Sequence, residues 1–360
     1  CYAVKANSNL SILKLLAEAG SGFDIVSRGE LKRVLAAGGD PQKVVYSGVG
    51  KREEDLEFAL KAGIGCFNIE SVAEVYMLEK VAKKLKKRAP VSLRINPNVD
   101  AKTHPYISTG LKENKFGISM EDALPMYREM ARMPMLDIQG IDFHIGSQLT
   151  EIEPYAEALD LTLELIDQLE EEGIHLTHLD MGGGLGIKYE DEELIDPAEW
   201  LQLAIAKIGE RELKLLIEPG RSIVGDAGVL LTEVILTKEN EGKHFAVVDA
   251  AMNDLIRPAL YDSWMNILNL DEDSPEAPKL YDIVGPICET GDFLGKDREL
   301  SLTAGDLLAV THAGAYGFTM ASNYNSRGRA AEVLLEGEDT RLIRQRESEE
   351  SLYALELSLL

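Results

Sequence analysis

Cysteine is scarce in this 360-residue chain: Cys1, Cys66 and Cys288 are scattered, odd in number and without any CxxC spacing. The pattern disfavours a disulfide framework and a zinc site, so no metal is expected, and it favours a reduced, cytoplasmic setting. Long apolar runs are missing too; none approaches the ~18 residues a membrane helix needs. Basic residues are outnumbered, 37 Lys and Arg against 62 Asp and Glu, a formal charge of −25. Such a balance argues against nucleic acid or an anionic membrane as partner. It leaves room for a small substrate in a local basic pocket. The chain opens on Cys1 rather than Met, inside a predicted strand, so an N-terminal segment is expected to be missing and no signal peptide is assigned.

What is present is a core-forming composition, 45% hydrophobic and 28% charged. Up to about residue 225, strand-like and helix-like stretches alternate. Strands are predicted at 1–5, 22–26, 43–47, 65–69, 91–96, 139–145, 177–181 and 214–218, with helices at 9–19, 28–37, 51–62, 71–86, 120–132, 152–172 and 197–209. Ser27-x-x-Glu30 and Ser71-x-x-Glu74 read as capping boxes. The 71–86 helix places Val72, Val75, Leu78, Val81 and Leu85 on one stripe, with Glu and Lys opposite. Eight such units over roughly 220 residues fit a (β/α)8 barrel, and a doubly wound open sheet is the alternative. The fold class is therefore α/β with a second domain: residues 1–225 form the barrel and 226–360 a mainly β domain, barrel or sandwich. Its predicted strands are Val229–Leu236, His244–Val248, Leu280–Val284, Asp306–Thr311, Glu332–Leu335 and Thr340–Arg344, followed by an acidic, solvated helix in the tail. The loop 97–118 is long enough to suggest function, closing over the site.

In a (β/α)8 barrel the chemistry gathers at the C-terminal ends of the strands. Those ends carry Lys5, Asp24, Ser47, Asn68, Glu70, Arg94, His144, the triplet Gly182-Gly183-Gly184, and Glu218 with Arg221. Each admits an ordinary reading beside a functional one. Lys5 is either a strand-end lysine that snorkels outward or a desolvated nucleophilic amine. The glycine triplet is a tight turn or a backbone cradle for phosphate. His144 is a core histidine or a ring at a strand mouth. Glu218 and Arg221 form a local ion pair over a Pro-Gly turn, or an acid for a pyridine nitrogen and a cation for a carboxylate. Cys288 is a buried filler or, beside Glu289 and Asp292, a thiol that exchanges protons near neutral pH.

Taken together, YAVKAN (2–7), FDIVSRGEL (23–31), HPYISTGLKENKFG (104–117), DFHIGSQ (142–148), MGGGLG (181–186), EPGRS (218–222), MNDLIRPALY (252–261), CETGD (288–292) and GAYGFTMASNYNSR (314–327) resemble the diaminopimelate decarboxylase branch of the alanine-racemase-like, fold type III pyridoxal-phosphate decarboxylases. The matching stretches run over nearly the whole chain. The resemblance implies pyridoxal 5'-phosphate as cofactor. It implies decarboxylation of meso-2,6-diaminopimelate to L-lysine and CO2, the last step of lysine biosynthesis. It also implies a homodimer with the active site at the interface. In that family pattern Lys5 carries the cofactor, His144 stacks on its ring and Glu218 meets its nitrogen. Gly182, Gly183, Gly184, Gly220, the Arg221 backbone and Ser147 hold its phosphate. Asp24 and Arg94 shape the site, and Tyr316 contacts the cofactor. Arg221, Arg257 and Tyr261 bind the distal carboxylate of the substrate, Glu289 binds its distal amine, and Cys288 returns a proton.

Four positions depart from the pattern: Arg28 stands for a usual glycine, Thr290 for serine, Met265 for histidine and Gly328 for proline. None removes a catalytic group. Competing readings are ornithine- or arginine-type decarboxylation, which would not need Glu289 with Arg257, a racemase, which would need an opposite-face tyrosine, and an inactive homologue that lacks Lys5 or Cys288.

Overall fold

The computed structural model describes residues 1–100, 114–271 and 276–360. Two compact units emerge: Cys1–Ile187 with Glu193–Ser222, and Lys188–Glu192 with Ile223–Leu360.

The first unit holds β1 (Tyr2–Ala3), α1 (Leu10–Glu18), β2 (Phe23–Ile25), α2 (Arg28–Ala36), β3 (Val44–Tyr46), α3 (Glu53–Ala62), β4 (Cys66–Ile69), α4 (Val72–Leu85), β5 (Ala89–Asn96), β6 (Ile118–Ser119), α5 (Met120–Met130), β7 (Leu136–Phe143), α6 (Glu153–Glu171), β8 (His178–Asp180), α7 (Pro197–Ile208), β9 (Lys214–Leu216) and the start of α8 (Arg221–Val224). Eight strands pair in parallel in the order β1-β2-β3-β4-β5-β7-β8-β9, with β6 beside β5. The ends meet: the Ala3 N–H donates to Pro219 O at 3.0 Å, so the sheet curls into a (β/α)8 barrel and the open-sheet alternative falls away. All eight predicted strands and seven helices appear within a few residues of their expected limits. They were readable because strands covered on both faces are near-continuous apolar runs: Phe23, Ile25, Val44, Phe67, Ile69, Val91 and Leu93 are fully buried.

Two details differ. Ser27 and Ser71 do cap α2 and α4, accepting from the Glu30 and Glu74 N–H groups. The two glutamates, however, reach back past the cap to the N–H of Val26 and Glu70. The polar side of α4 is not all solvated either. Glu74 and Glu79 are buried while Val72 is 43% exposed. Glu74 is drawn inward by Lys51, whose ammonium lies 2.6 Å from Glu74 Oε1 and also donates to Gly48 O and Asn68 O.

The second unit is mainly β. It contains β10 (Leu230–Asn240), β11 (Lys243–Val248), α9 (Arg257–Tyr261), β12 (Ile267–Asn269), β13 (Lys279–Val284), β14 (Phe293–Leu300), β15 (Leu307–Val310), β16 (Glu332–Glu336), β17 (Asp339–Arg344) and α10 (Glu349–Leu357). Six strands order as β12-β15-β10-β11-β13-β14, and β16 pairs with β17 alone. Glu241 and Gly242, both left-handed with φ 49° and 86°, make the two-residue turn of the β10–β11 hairpin. The sequence reading missed β12 and β14. In β14 the run Gly-Lys-Asp-Arg breaks the alternation that marks a strand, because the strand bulges there. The tail helix α10 buries none of its residues, as expected.

Candidate active site

In the first unit the chain leaves β1 through a single 3-10 turn, Val4–Ala6, which brings Lys5 over the end of β2. Its ammonium lies 3.3 Å from Asp24 Oδ2, with the lysine side chain 37% exposed and the aspartate fully enclosed. Lys5 is thus not buried at a strand end. It stands in an accessible space, where Asp24 holds it.

Register explains the acids facing it. Arg94, Asp142 and Asp180 are consecutive partners across β5, β7 and β8, and parallel partners share a face of the sheet. Glu218 follows β9, and one carboxylate oxygen each from Asp142, Asp180 and Glu218 lies within 4.8 Å of the others. Three buried carboxyls this close cannot all be ionised. Burial, then Asp180 and Asp24, push the Glu218 carboxyl well above its ordinary range. Burial and Asp142 push Asp180 up to about 8, and burial with Glu218 raises Asp142 likewise. Burial and like charge thus favour the proton-bearing form of Glu218, whose carboxyl the Ser47 hydroxyl touches at 3.5 Å.

Arg94 is shared. It donates to Glu70 Oε1 at 2.8 Å, approaches Asp142 Oδ2 at 3.8 Å, and lies 4.9 Å from the Phe116 ring centroid. Glu70 also accepts from the Gly48 N–H and the Gly117 N–H, both at 2.9 Å. One carboxylate thus ties the loop after β3 to the stem of the long loop before β6. Residues 101–113 of that loop lie outside the described residues, so its expected closure over the site and most of the 104–117 motif do too.

The glycine triplet is sterically forced. A Cβ at Gly183 would sit 2.0 Å from Glu218 O, and one at Gly184 2.2 Å from Gly146 O. Gly182 and Gly184 adopt φ of 64° and 104°, which favour glycine. His144, just past β7, accepts from the Gly183 N–H through Nδ1 at 3.2 Å, which leaves the ring proton on Nε2. Burial, with Lys5 and Arg94 nearby, lowers its pKa well below the usual value, so the ring is neutral. Arg221 is buried and donates to Ser147 Oγ at 3.1 Å. Gly220 lets the following turn lie against Ala3 and Ala6, to which a Cβ would come within 3.1 Å. Lys5, Asp24, Arg94, His144, Ser147, the triplet, Glu218, Gly220 and Arg221 are all features of this one unit.

In the second unit Arg257 opens α9 and is buried. Its guanidinium lies 5.0 Å from the Tyr189 ring centroid and 5.6 Å from that of Tyr261, and it donates to Ser263 Oγ at 3.1 Å. Tyr316 takes a left-handed backbone, φ 57°. Cys288 is exposed, as is Glu289, against the expectation of a buried filler. The Cys288 N–H donates to Asn325 Oδ1 at 3.0 Å, and Asp292 accepts from the Ile287 and Met252 N–H groups, fixing that loop. Of the departures, Arg28 pairs with Glu54 and Asp55 at 3.3 Å each, joining α2 to α3.

Sequence reasoning gave Asp142 and Asp180 no role, and noted Glu70 and Ser47 only as strand ends. The signal was an aspartate inside an apolar strand in register with another, visible only once the strands are aligned. Tyr189, five residues from the glycine-rich turn's end, gave no signal at all.

Residues 1–225 match the family model described as "Pyridoxal-dependent decarboxylase, pyridoxal binding domain". The chain belongs to this family of pyridoxal-dependent decarboxylases. It is 60% identical over 360 residues to the diaminopimelate decarboxylase of Neisseria meningitidis serogroup A, covering 100% of this chain and 88% of that protein. To the diaminopimelate decarboxylase of Pseudomonas aeruginosa it is 58% identical over 354 residues, 98% of this chain and 85% of the relative. The crystal structure of diaminopimelate decarboxylase from Helicobacter pylori complexed with L-lysine superposes with a TM-score of 0.97 at 46% identity, covering 100% of this chain and 90% of that one. The residues fit the cofactor this family binds: an accessible amine, a neutral imidazole, a cradle closed to any Cβ and a buried carboxyl. No helix among the described residues is long and apolar enough to cross a membrane.

Proposed function

We propose that this chain decarboxylates meso-2,6-diaminopimelate to L-lysine and CO2, the last step of lysine biosynthesis, with pyridoxal 5'-phosphate as cofactor. The observation that carries the reading is identity of 58–60%, over 98–100% of this chain, to relatives of that name. When bound, the cofactor supplies an electron sink for the pair left at Cα as CO2 departs.

The chain's residues take these roles. Lys5 holds the cofactor through its amine, and Asp24 orients that amine. His144, kept neutral, offers a flat uncharged ring face to the cofactor. Glu218 keeps a proton available at the ring nitrogen. The N–H groups of Gly182, Gly183 and Gly184, the Ser147 hydroxyl and the Gly220–Arg221 backbone receive the phosphate. Arg94 shapes the wall through Glu70, and Tyr316 contacts the cofactor. Arg257, with Tyr261 and Arg221, grips the distal carboxylate, because a planar guanidinium matches a carboxylate bidentately. Glu289 takes the distal amine and Cys288 delivers the proton to Cα. A substrate without a distal carboxylate forfeits this charge-assisted match, and such mismatches discriminate by up to about 10⁴-fold.

The exposure of Cys288 and Glu289 supports a homodimer in which this loop serves the partner subunit's site. Three unpaired, scattered cysteines support a cytoplasmic setting. The domain boundary falls near residue 225, where the family match ends.

The test is CO2 release by the cofactor-loaded protein with meso-diaminopimelate, L-ornithine, L-arginine and L-lysine offered in parallel. Turnover confined to diaminopimelate, with lysine and CO2 formed in equal amounts, is expected. Turnover of ornithine or arginine instead would overturn the assignment of the distal pocket.

A further inference from the structure

Arg298 lies in β14, is only 7% exposed, and occupies the inner face of the second unit's sheet. A regular strand would have sent it outward. Along β13, Tyr281 and Ile283 are two residues apart and share the inner face. Their partners on β14, Arg298 and Gly295, are three apart. The extra residue is a β-bulge at Asp297, whose φ of 54° is left-handed and whose N–H is caught by Asp282 Oδ1 at 3.1 Å. Bulges re-aim side chains in this way. Gly295 makes the room, since a Cβ there would fall 2.6 Å from Arg298 Nε.

The re-aimed guanidinium meets one segment. It stacks on Trp264 with 3.0 Å between its central carbon and the ring centroid, and its Nη2 donates to Met265 O at 3.0 Å. Nε and Nη1 have no hydrogen-bond partner among the described residues. Burial lowers its pKa to about 10, opposed only in part by Glu190 and Asp297. A buried cation with no paired carboxylate among the described residues, delivered by a strained backbone, is costly; strain of this kind gathers at functional sites. Trp264 and Met265 end the stretch that begins with α9, and the same stretch carries Arg257, Tyr261 and Ser263.

We propose that Arg298 is a positioning residue: from the bulge at Asp297 it clamps Trp264 and Met265 and so fixes the 257–265 segment that presents Arg257 to the distal carboxylate of the substrate. This rests on the proposed function for the identity of that carboxylate. Arg298 itself touches no substrate.

The chain has two tryptophans, Trp200 and Trp264, so a Trp200→Phe background makes Trp264 the reporter. In the loaded protein, meso-diaminopimelate and 1,5-diaminopentane, which lacks the distal carboxylate, are titrated against Trp264 fluorescence. The parent is expected to prefer diaminopimelate; if it shows no preference, the proposed function fails and not this inference. Arg298→Met is expected to raise the Kd for diaminopimelate by about tenfold or more, the scale of a misplaced binding group. The Kd for 1,5-diaminopentane and kcat at saturation should hold. Arg298→Lys, which keeps the charge without the flat face, is expected to fall between. A lower Tm with both Kd values moving together, or neither, would make Arg298 merely structural and overturn the proposal. Where Arg298→Met does not fold, the diaminopimelate-to-diaminopentane ratio of Arg298→Lys decides it, an unchanged ratio being the contradicting result.

Discussion

Replacing Glu70 by glutamine changes one atom's chemistry at the point where two loops are tied. The carboxylate accepts from Arg94 and the Gly48 N–H on Oε1 and from the Gly117 N–H on Oε2. An amide keeps one acceptor and turns an NH2 toward a donor on the other side. At least one charge-assisted hydrogen bond is lost, worth about 1.5–3 kcal/mol, and the buried pair with Arg94 is broken, for which about 3–5 kcal/mol is typical. Asp142 at 3.8 Å remains as a fallback for Arg94, so we take the lower end, about 3 kcal/mol in all. For a unit of this size that is a fall in Tm of about 6–12 °C. The effect has a pH signature. Burial pushes the Glu70 carboxyl up, but Arg94, Lys51 and the two N–H groups outweigh it, and its pKa lies below the ordinary value. A depressed folded-state pKa stabilises above the unfolded value and loses that contribution as pH falls through the folded one. The gap in Tm between wild type and Glu70→Gln should therefore be full at pH 7 and shrink below about pH 4. Thermal unfolding by circular dichroism across that range reads it. A gap that is small at pH 7, or that widens in acid, would refute the clamp.

Lys51→Met strands the buried Glu74 carboxylate and should cost about 3–5 kcal/mol in chemical denaturation, while Lys51→Met with Glu74→Gln should recover most of it; additive losses would contradict the pairing. Cys288→Ala should lower kcat by about 10²–10⁴, the usual worth of a positioned acid, with cofactor absorbance unchanged; a loss under twofold in steady-state assays would remove Cys288 from the chemistry.

The barrel was legible because its strands are short apolar runs and its helices carry their own caps and stripes. Ser27 and Ser71 announced two helix starts correctly. Their partner glutamates were misread, because a three-residue spacing does not say which N–H a long side chain will reach. Glu74 and Glu79 show the same limit: periodicity assigns a charge to the wet side unless a buried partner such as Lys51, far away in sequence, draws it in. Strand β14 was hidden by the bulge at Asp297, where a positive φ on a non-glycine residue leaves no mark in the pattern. The site divides similarly. Lys5, His144, the glycine triplet and Glu218 stand at strand ends and could be found by position. Asp142 and Asp180 became visible only through register, and Arg298 only through the bulge that turns it inward.

The most direct measurement is the attachment point of the cofactor. The protein loaded with pyridoxal phosphate is treated with borohydride, which fixes the cofactor to whichever amine holds it, then digested, and the peptides are weighed. The full pyridoxyl mass on the peptide containing Lys5, and none after Lys5→Ala, is the expected result. The same mass on another lysine, with Lys5 unmodified, would contradict the placement of the active site at the mouth of this barrel.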